Sequence, residues 1–278
     1  MSVASSAAPS PTPSAVSRDA GATWLHVLEY NLLGYRRTFR ANVFTSFVQP
    51  VLFLTAMGLG LGGIVDRSAG AGSLAATSYL AFLAPGLLAA TGMQTAFGES
   101  TYPIIAGFRW NRTFHAMAAT PLSSWSIVLG QLAYVVVRVA LVAGIFSLVI
   151  VAFGAAGSPA GLLLAFLATV LTGLAFATPL IAFSATRDTP GSFSSLVRFG
   201  ITPMFLFSGS FFPVERLPGV LQPLAALTPL YHGVALARGF VLGTLDPLTA
   251  AGHAAYLAAF AGLGLVACYL IVPRRLTG

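Results

Sequence analysis

The sequence predicts an all-α polytopic membrane protein with six transmembrane helices, an N-terminal interfacial amphipathic helix, and a re-entrant helical hairpin between the fifth and sixth spans. Three observations carry this reading. Of 278 residues, 56% are hydrophobic and only 8% charged, and the mean hydropathy is +0.85; a soluble domain carries roughly 25% charged residues. Apolar runs of about 20 residues, the length that crosses a bilayer as a helix, recur along the chain. The net charge of +7 is wholly arginine, since the chain has no lysine. Those arginines collect in alternate loops, as the positive-inside rule expects of cytoplasmic segments.

The elements follow in chain order. Residues 1–21, "MSVASSAAPSPTPSAVSRDAG", lack both the basic start and the apolar run of a secretory signal, and read as a disordered cytoplasmic tail. Over residues 22–42, Trp24, Leu28, Leu32, Tyr35 and Phe39 fall on one helical stripe, with His26, Glu29, Arg36, Arg37 and Arg40 opposite. An aromatic-rich stripe facing arginines suits a helix lying in the membrane interface; a cytosolic amphipathic helix is the plainer alternative. The transmembrane domain then covers residues 43–278. Its expected spans are residues 43–65, ending at Asp66 and Arg67, then 79–97, 125–153, 162–184, 196–212 and 250–272.

Arg18, Arg36, Arg37 and Arg40 precede the first span, Arg109 and Arg112 follow the second, Arg187 the fourth, and Arg274 and Arg275 the sixth. The alternate loops hold Arg67, then nothing, then Arg216 and Arg238. Both termini are therefore expected on the cytoplasmic side. This pattern also accounts for the basic balance better than nucleic-acid binding does. The single cysteine, Cys268, cannot form an intrachain disulfide.

Two segments break the simple pattern. The loop of residues 96–131 contains "WNRTFHAMAATPLSS", which suits a short helix on the membrane surface, closed by Pro121. Such a helix could contact a cytosolic partner, or the loop could merely turn the chain. The second segment, "FFPVERLPGVLQPLAALTPLYHGVALARG", holds Pro213, Pro218, Pro223 and Pro229 with Glu215 and Arg216 among apolar residues. Straight helices do not tolerate that many interior prolines, and irregular backbone at membrane depth survives only buried in protein or lining a cavity. It reads as short helices dipping in from the outer face, broken between Pro218 and Pro229, with Glu215 and Arg216 at the water boundary. A helix over residues 231–242 would then lie along the outer interface. The cap so formed is either an outer gate or a rigid plug.

One ionisable pair stands inside the apolar spans. Arg138 has eleven mainly apolar residues before it from Ile127 and fifteen after it to Phe153, and a charge at the centre of a span costs at least about 2.5 kcal/mol. Glu99 closes the preceding span. Opposite charges on neighbouring spans lower each other's cost of burial, so a Glu99–Arg138 pair, or a shared water-filled inner vestibule, is expected. Either it serves substrate passage, with Arg138 meeting an anionic headgroup, or it sets helix register. Arg198, near the cytoplasmic start of the fifth span, reads as a snorkelling anchor. His115 and His232 stand alone in the sequence, and no metal-ligand cluster, paired carboxylates, nucleophile motif or phosphate-binding "GxxxxGK[ST]" loop occurs.

The loop residues Glu99 and Arg109, with "RTFHAMAATPL" running into "IVLGQ", and the later "FSGSFFPVERLPGVLQ" followed by "LTPLYHGVALARG", resemble the type-2 ABC transporter permease family. The likeness is nearest to the branch of nodulation-factor export permeases, and extends over nearly the whole chain after Leu25. Gln131 departs from it, standing where relatives often carry a carboxylate. The resemblance implies a transport subunit with no ATPase site and no cofactor of its own, which dimerises and sits on two cytosolic ATP-binding subunits that hold ATP and Mg. It implies that residues 112–119 form the coupling helix, so that Arg109, Arg112, Thr113, Phe114, His115, Met117, Thr120 and Pro121 would take up motion from the ATPase. It places Phe211, Phe212, Pro213, Glu215, Leu217, Pro218, Pro229, His232 and Arg238 in the outer cap. An amphipathic or lipid-linked cargo suits the apolar spans. An ion-coupled secondary transporter is the alternative, but it needs buried acids and often repeats, and seven acidic residues placed mostly at span ends and in loops do not supply them. An intramembrane enzyme would need a catalytic constellation that the sequence lacks.

Overall fold

The structure, a computed structural model, describes residues 23–62 and 78–277. The tail of residues 1–21 and the expected end of the first span at Asp66 and Arg67 lie outside the described residues. Within them the chain is helical throughout, with no strand.

Helix α1 (Thr23–Phe53) runs on as a π-helical turn over Leu54–Leu61. Its axis bends by 70° between Thr23–Arg40 and Asn42–Gly58. The first arm lies against the start of α5 (Ser124–Ala152). Gly130 makes that approach possible, because a Cβ there would come within 2.7 Å of the Trp24 carbonyl oxygen. Val27 and Tyr35 are buried in the contact, and the Asn31 amide donates to Gln131 Oε1 at 3.1 Å. Gln131, which cannot supply a carboxylate, thus holds α1 with a neutral hydrogen bond. His26, Glu29, Arg36, Arg37 and Arg40 are all exposed.

Helix α2 (Tyr79–Ser100) starts at Ser78, whose hydroxyl caps the Ala81 N–H. The chain breaks at Thr101, continues through α3 (Tyr102–Ile105) and a π-helical turn over Ala106–Trp110, and reaches the short α4 (Thr113–Ala118). Helix α5 is capped by Ser123, and α6 (Pro159–Ala185) by Ser158 with Pro159 at its first position, the side chain and ring that suit a helix start. Then come α7 (Gly191–Leu196), a π-helical turn over Val197–Ile201, and α8 (Thr202–Phe207). A 3₁₀ turn at Val214–Arg216, α9 (Leu221–Ala226) and α10 (Pro229–Leu242) lead to α11 (Pro247–Thr277), where the Asp246 carboxylate accepts from the N–H groups of Leu248 and Thr249.

Four stretches among the described residues are long and apolar enough to cross a membrane: Tyr79–Trp110, Ser124–Ala152, Pro159–Ala185 and Pro247–Leu276; the bent pair in α1 makes a fifth. The expected span over residues 196–212 is not among them. Its helical run begins earlier and stops at Phe207, in segments of six, five and six residues. At 1.5 Å per residue this spans about 25 Å, short of the ~30 Å hydrocarbon core. The polar "SGS" ends it: Gly209 has φ +85, and the hydroxyls of Ser208 and Ser210 bond each other at 2.9 Å.

Helices α2, α6 and α10 form the centre, with α5 and α11 on the flanks. Close packing rests on small residues, as is usual between membrane helices. A Cβ on Gly92 would meet the Thr169 Cγ2 and carbonyl oxygen at 2.8 Å, and Gly264 lets α11 approach Pro179 of α6. Buried threonines return their hydroxyls to the preceding turn, Thr169 to the Ala165 carbonyl and Thr172 to that of Ala168, which satisfies them without a partner helix.

Candidate functional site

The site grows around Arg138, halfway along α5, and Glu99, at the end of α2. Arg138 Nε donates to Glu99 Oε1 at 2.7 Å, with the two side chains 8% and 18% exposed. The Arg138 guanidinium also lies 4.1 Å from the ring centroid of Tyr35 on α1, so a cation–π contact ties the third helix in. Nη1 of Arg138 and the Tyr35 hydroxyl are buried with no hydrogen-bond partner among the described residues.

Two cavities meet at this pair, and Glu99 lines both. One, about 590 Å3, lies between the first arm of α1 and the turn after α3, with Tyr30, Asn31, Thr38, Asn111, Gln131 and Tyr134 on its walls. The other, about 330 Å3, runs between the second arm of α1 and α2, and Arg138 lines it as well. Asn42, Ser46 and Gln49 on α1 face Thr91, Gln94 and Thr95 on α2, with Gln49 Nε2 3.4 Å from Gln94 Oε1. These residues recur at three- and four-residue steps, so each set forms one helical face. That spacing was the available signal; hydropathy averaging over whole spans hides it. The ion pair separates a vestibule from an amide- and hydroxyl-lined groove at span depth.

The loop residues come together at one end of the bundle. Arg109 closes the π-helical turn, and Arg112 precedes α4 in the left-handed region, φ 51, the only non-glycine at positive φ among the described residues. Phe114 is buried edge-on against Phe108, centroids 4.9 Å apart, and His115 faces the same ring at 6.0 Å. Thr113 lines the vestibule and Met117 packs on the core. Thr120 bonds back to the Met117 carbonyl, and Pro121 is exposed just beyond. The result is a short helix pinned by Phe114 and presenting Arg112, His115 and Thr120 outward. Asp188, which the sequence did not mark, accepts from Arg109 Nε at 2.9 Å and pairs with Arg275 of α11. The Arg275 hydrogen bond foremost, then that of Arg109, holds the Asp188 carboxyl below its ordinary value.

At the other end, the proline-rich segment differs from expectation in one respect. Helix α10 does not lie flat along an interface: none of its residues is exposed, and Leu230, Val234, Ala237 and Val241 are buried against the spans. Its small residues explain this, since Gly233 sits directly on Thr172 of α6. Arg238, reaching out of α10, braces the whole cap. Its Nε donates to the Phe82 carbonyl at 3.1 Å, its Nη2 to that of Gly209 at 2.6 Å, and its guanidinium lies 3.6 Å from the Phe82 ring centroid. The Tyr79 hydroxyl holds the Phe211 carbonyl, and Gln222 ties the carbonyls of Glu215 and Leu217. Glu215, Arg216 and Pro218 are exposed, Leu217 buried, and Phe212, Pro213 and Phe211 half-buried; Pro229 starts α10.

His232 is not alone. Its Nδ1 lies 2.7 Å from Nδ1 of His253 on α11, its Nε2 2.9 Å from the Ala226 carbonyl, and its ring stacks on Tyr256 at 3.8 Å. The carbonyl contact requires a proton on Nε2, so His232 Nδ1 accepts and His253 Nδ1 donates. No group of three metal-ligating side chains occurs among the described residues.

Comparison with known proteins adds sequence kinship to this geometry. The profile of a family described as ABC-2 type transporter matches residues 23–242. Nodulation protein J of Rhizobium meliloti (strain 1021) is 32% identical over 254 residues, 91% of this chain and 90% of that protein. Nodulation protein J of Rhizobium leguminosarum bv. viciae is 34% identical over 223 residues, 80% and 83% of the two chains. That of Neorhizobium galegae is 33% identical over 257 residues, 91% and 94%.

Proposed function

This chain belongs to the ABC-2 type transporter family, a multi-pass permease of the cell membrane, and from that premise we propose that it is the transmembrane subunit of an ATP-driven exporter. Its cargo is an amphipathic or lipid-linked molecule, such as a lipo-oligosaccharide, glycolipid or hydrophobic drug, taken from the cytoplasm or inner leaflet. Two cytosolic ATPase subunits hold the ATP and Mg, and a second copy of this permease completes a homodimer. Both termini are cytoplasmic. The first arm of α1, Thr23–Arg40, lies in the interface, and the transmembrane domain occupies residues 43–278. The second arm of α1 supplies the first of six spans, and residues 191–207 the fifth, a short span that a locally thinned bilayer accommodates. Residues 208–242 form a re-entrant cap on the outer side.

The observation that carries the reading is the Glu99–Arg138 pair between two cavities. A permease needs a polar route through an apolar bundle, and buried charges lining cavities are its usual markers. Because Glu99 neutralises Arg138, the groove favours an uncharged, hydrogen-bonding headgroup over an anion. Helix α4, with Arg109, Arg112, Thr113, Phe114, His115, Met117, Thr120 and Pro121, relays ATPase closure. The cap residues act as the outer gate, with Arg238 as its brace.

The test is purification with the neighbouring ATPase, followed by ATP turnover across candidate lipids and drugs. Stimulation by an amphipathic glycan or drug supports the reading, and failure of any ATPase to associate defeats it. For the gate, cysteines at Glu215 and Leu217 are labelled from outside with and without ATP turnover. Changed labelling during turnover is expected; unchanged labelling makes the cap a plug.

A further inference from the structure

A third cavity, about 570 Å3, lies behind α4. Phe108, Arg109, Arg112 and His115 line one side; Arg274, Arg275 and Leu276, from the end of α11, line the other. Asp188 bridges the two walls through Arg109 and Arg275. Two guanidinium groups, Arg109 and Arg275, thus flank one carboxylate, and Arg112 and Arg274 border the same space. A surplus of positive charge lining a concave space focuses the field there and concentrates anions.

The depth of the cavity suggests which anion. Tyr269 on α11 is 59% exposed and meets Trp125 edge-on, centroids 5.4 Å apart. Exposed Trp and Tyr rings mark the headgroup level of a bilayer. Arg274 follows Tyr269 by five residues, about 7.5 Å further along the helix axis. The arginines therefore stand at the level of the lipid phosphates, over an apolar floor of Phe108 and Leu276. Arginine forks match phosphate oxygens in pairs, and basic pockets between membrane helices on the cytoplasmic side are suited to anionic headgroups.

We propose that this cavity binds the phosphate-bearing headgroup of an anionic phospholipid of the inner leaflet, which clamps α4 to the end of α11. The proposal rests on the cytoplasmic orientation argued above but not on the ATPase, so binding is read on the permease alone. A missing ATPase partner leaves it standing.

The experiment compares binding of phosphatidylglycerol and phosphatidylcholine to the purified full chain in mild detergent, by native mass spectrometry and thermal shift, with inorganic phosphate as a separate arm. Wild type is expected to prefer phosphatidylglycerol. Loss of about fivefold in affinity per guanidinium makes Arg112→Gln/Arg275→Gln about 25-fold weaker, while Arg112→Lys/Arg275→Lys retains most of the preference and guards against a folding defect. High salt should erase the wild-type preference. Equal binding of the two lipids, or full preference in the Gln variant, overturns the proposal. Inorganic phosphate displacing the lipid at equal concentration overturns the lipid assignment. So does lipid indifference combined with loss of ATPase association in the Gln variant, which would give the cavity to an acidic protein surface.

Discussion

Replacing Arg138 with methionine removes a cation that three helices share. The variant loses a 2.7 Å ion-paired hydrogen bond and a cation–π contact at 4.1 Å, and leaves Glu99, whose side chain is 18% exposed, as an unpaired carboxylate. Breaking one partner of a buried pair costs about 3–5 kcal/mol, whereas replacing both by neutral groups of similar volume is often close to neutral. Arg138→Met and Glu99→Gln should therefore each destabilise by about 3 kcal/mol, and Glu99→Gln/Arg138→Met by only about 1 kcal/mol, a coupling of about 5 kcal/mol. Interhelical hydrogen bonds between neutral groups in membranes average about 0.6 kcal/mol by the same kind of cycle. A coupling above about 1 kcal/mol is thus the signature of a desolvated ion pair. Thermal unfolding of the four proteins in one detergent reads it: at about 2–4 °C per kcal/mol for a chain of this size, the single variant falls by roughly 6–12 °C and the double regains most of that. If the double variant falls by the sum of the singles, the two charges do not stabilise each other and the reasoning is wrong. Transport then separates roles: full activity in both Arg138→Met and Arg138→Ala removes Arg138 from the pathway.

Other expectations concern packing and the cap. Gly92→Val should destabilise by about 1–3 kcal/mol through overpacking, since even a Cβ there would stand 2.8 Å from Thr169. Gly262→Ala, with nothing within 4 Å, should be neutral or stabilising in the same melt. Arg238→Lys should not rescue Arg238→Met, because one ammonium cannot reach both the Phe82 and Gly209 carbonyls and cover the Phe82 ring; protease accessibility of the loop around Glu215 would rise in both. Asp188 has its carboxyl held down by Arg275 and then Arg109, so its bridge contributes fully above its ordinary 3.8 and is lost as pH falls through the lower folded value. The difference in melting temperature between wild type and Asp188→Asn should therefore be constant at neutral pH and shrink below about pH 4.

Much of the fold was legible because bilayer physics acts on single segments. Apolar runs of bilayer length and arginine bias between segments are local signals that need no partner. The fifth segment was misjudged at its end for the same reason: averaged hydropathy does not register that "SGS" hands its carbonyls to Arg238, which stands 28 residues after Ser210. Glu99 and Arg138 could be named as partners since a lone charge in a span demands one. Tyr35 could not, because its role as a ring over Arg138 depends on the 70° bend of α1. His253 and Asp188 were invisible in kind: each is unremarkable in its own helix or loop and acquires meaning only from a neighbour far along the chain.

The sequence alone therefore settled what solvent this chain lives in, which loops carry the positive charge, and that its buried charges need partners, since transfer energies are properties of short windows. Tertiary structure alone decided that α10 goes inside the bundle, that two polar helix faces meet in a groove beneath Arg138, and that one aspartate bridges the turn before α4 to the last helix. These depend on where small residues let backbones touch. That contact is set by the packing of whole helices, which no single window of sequence encodes.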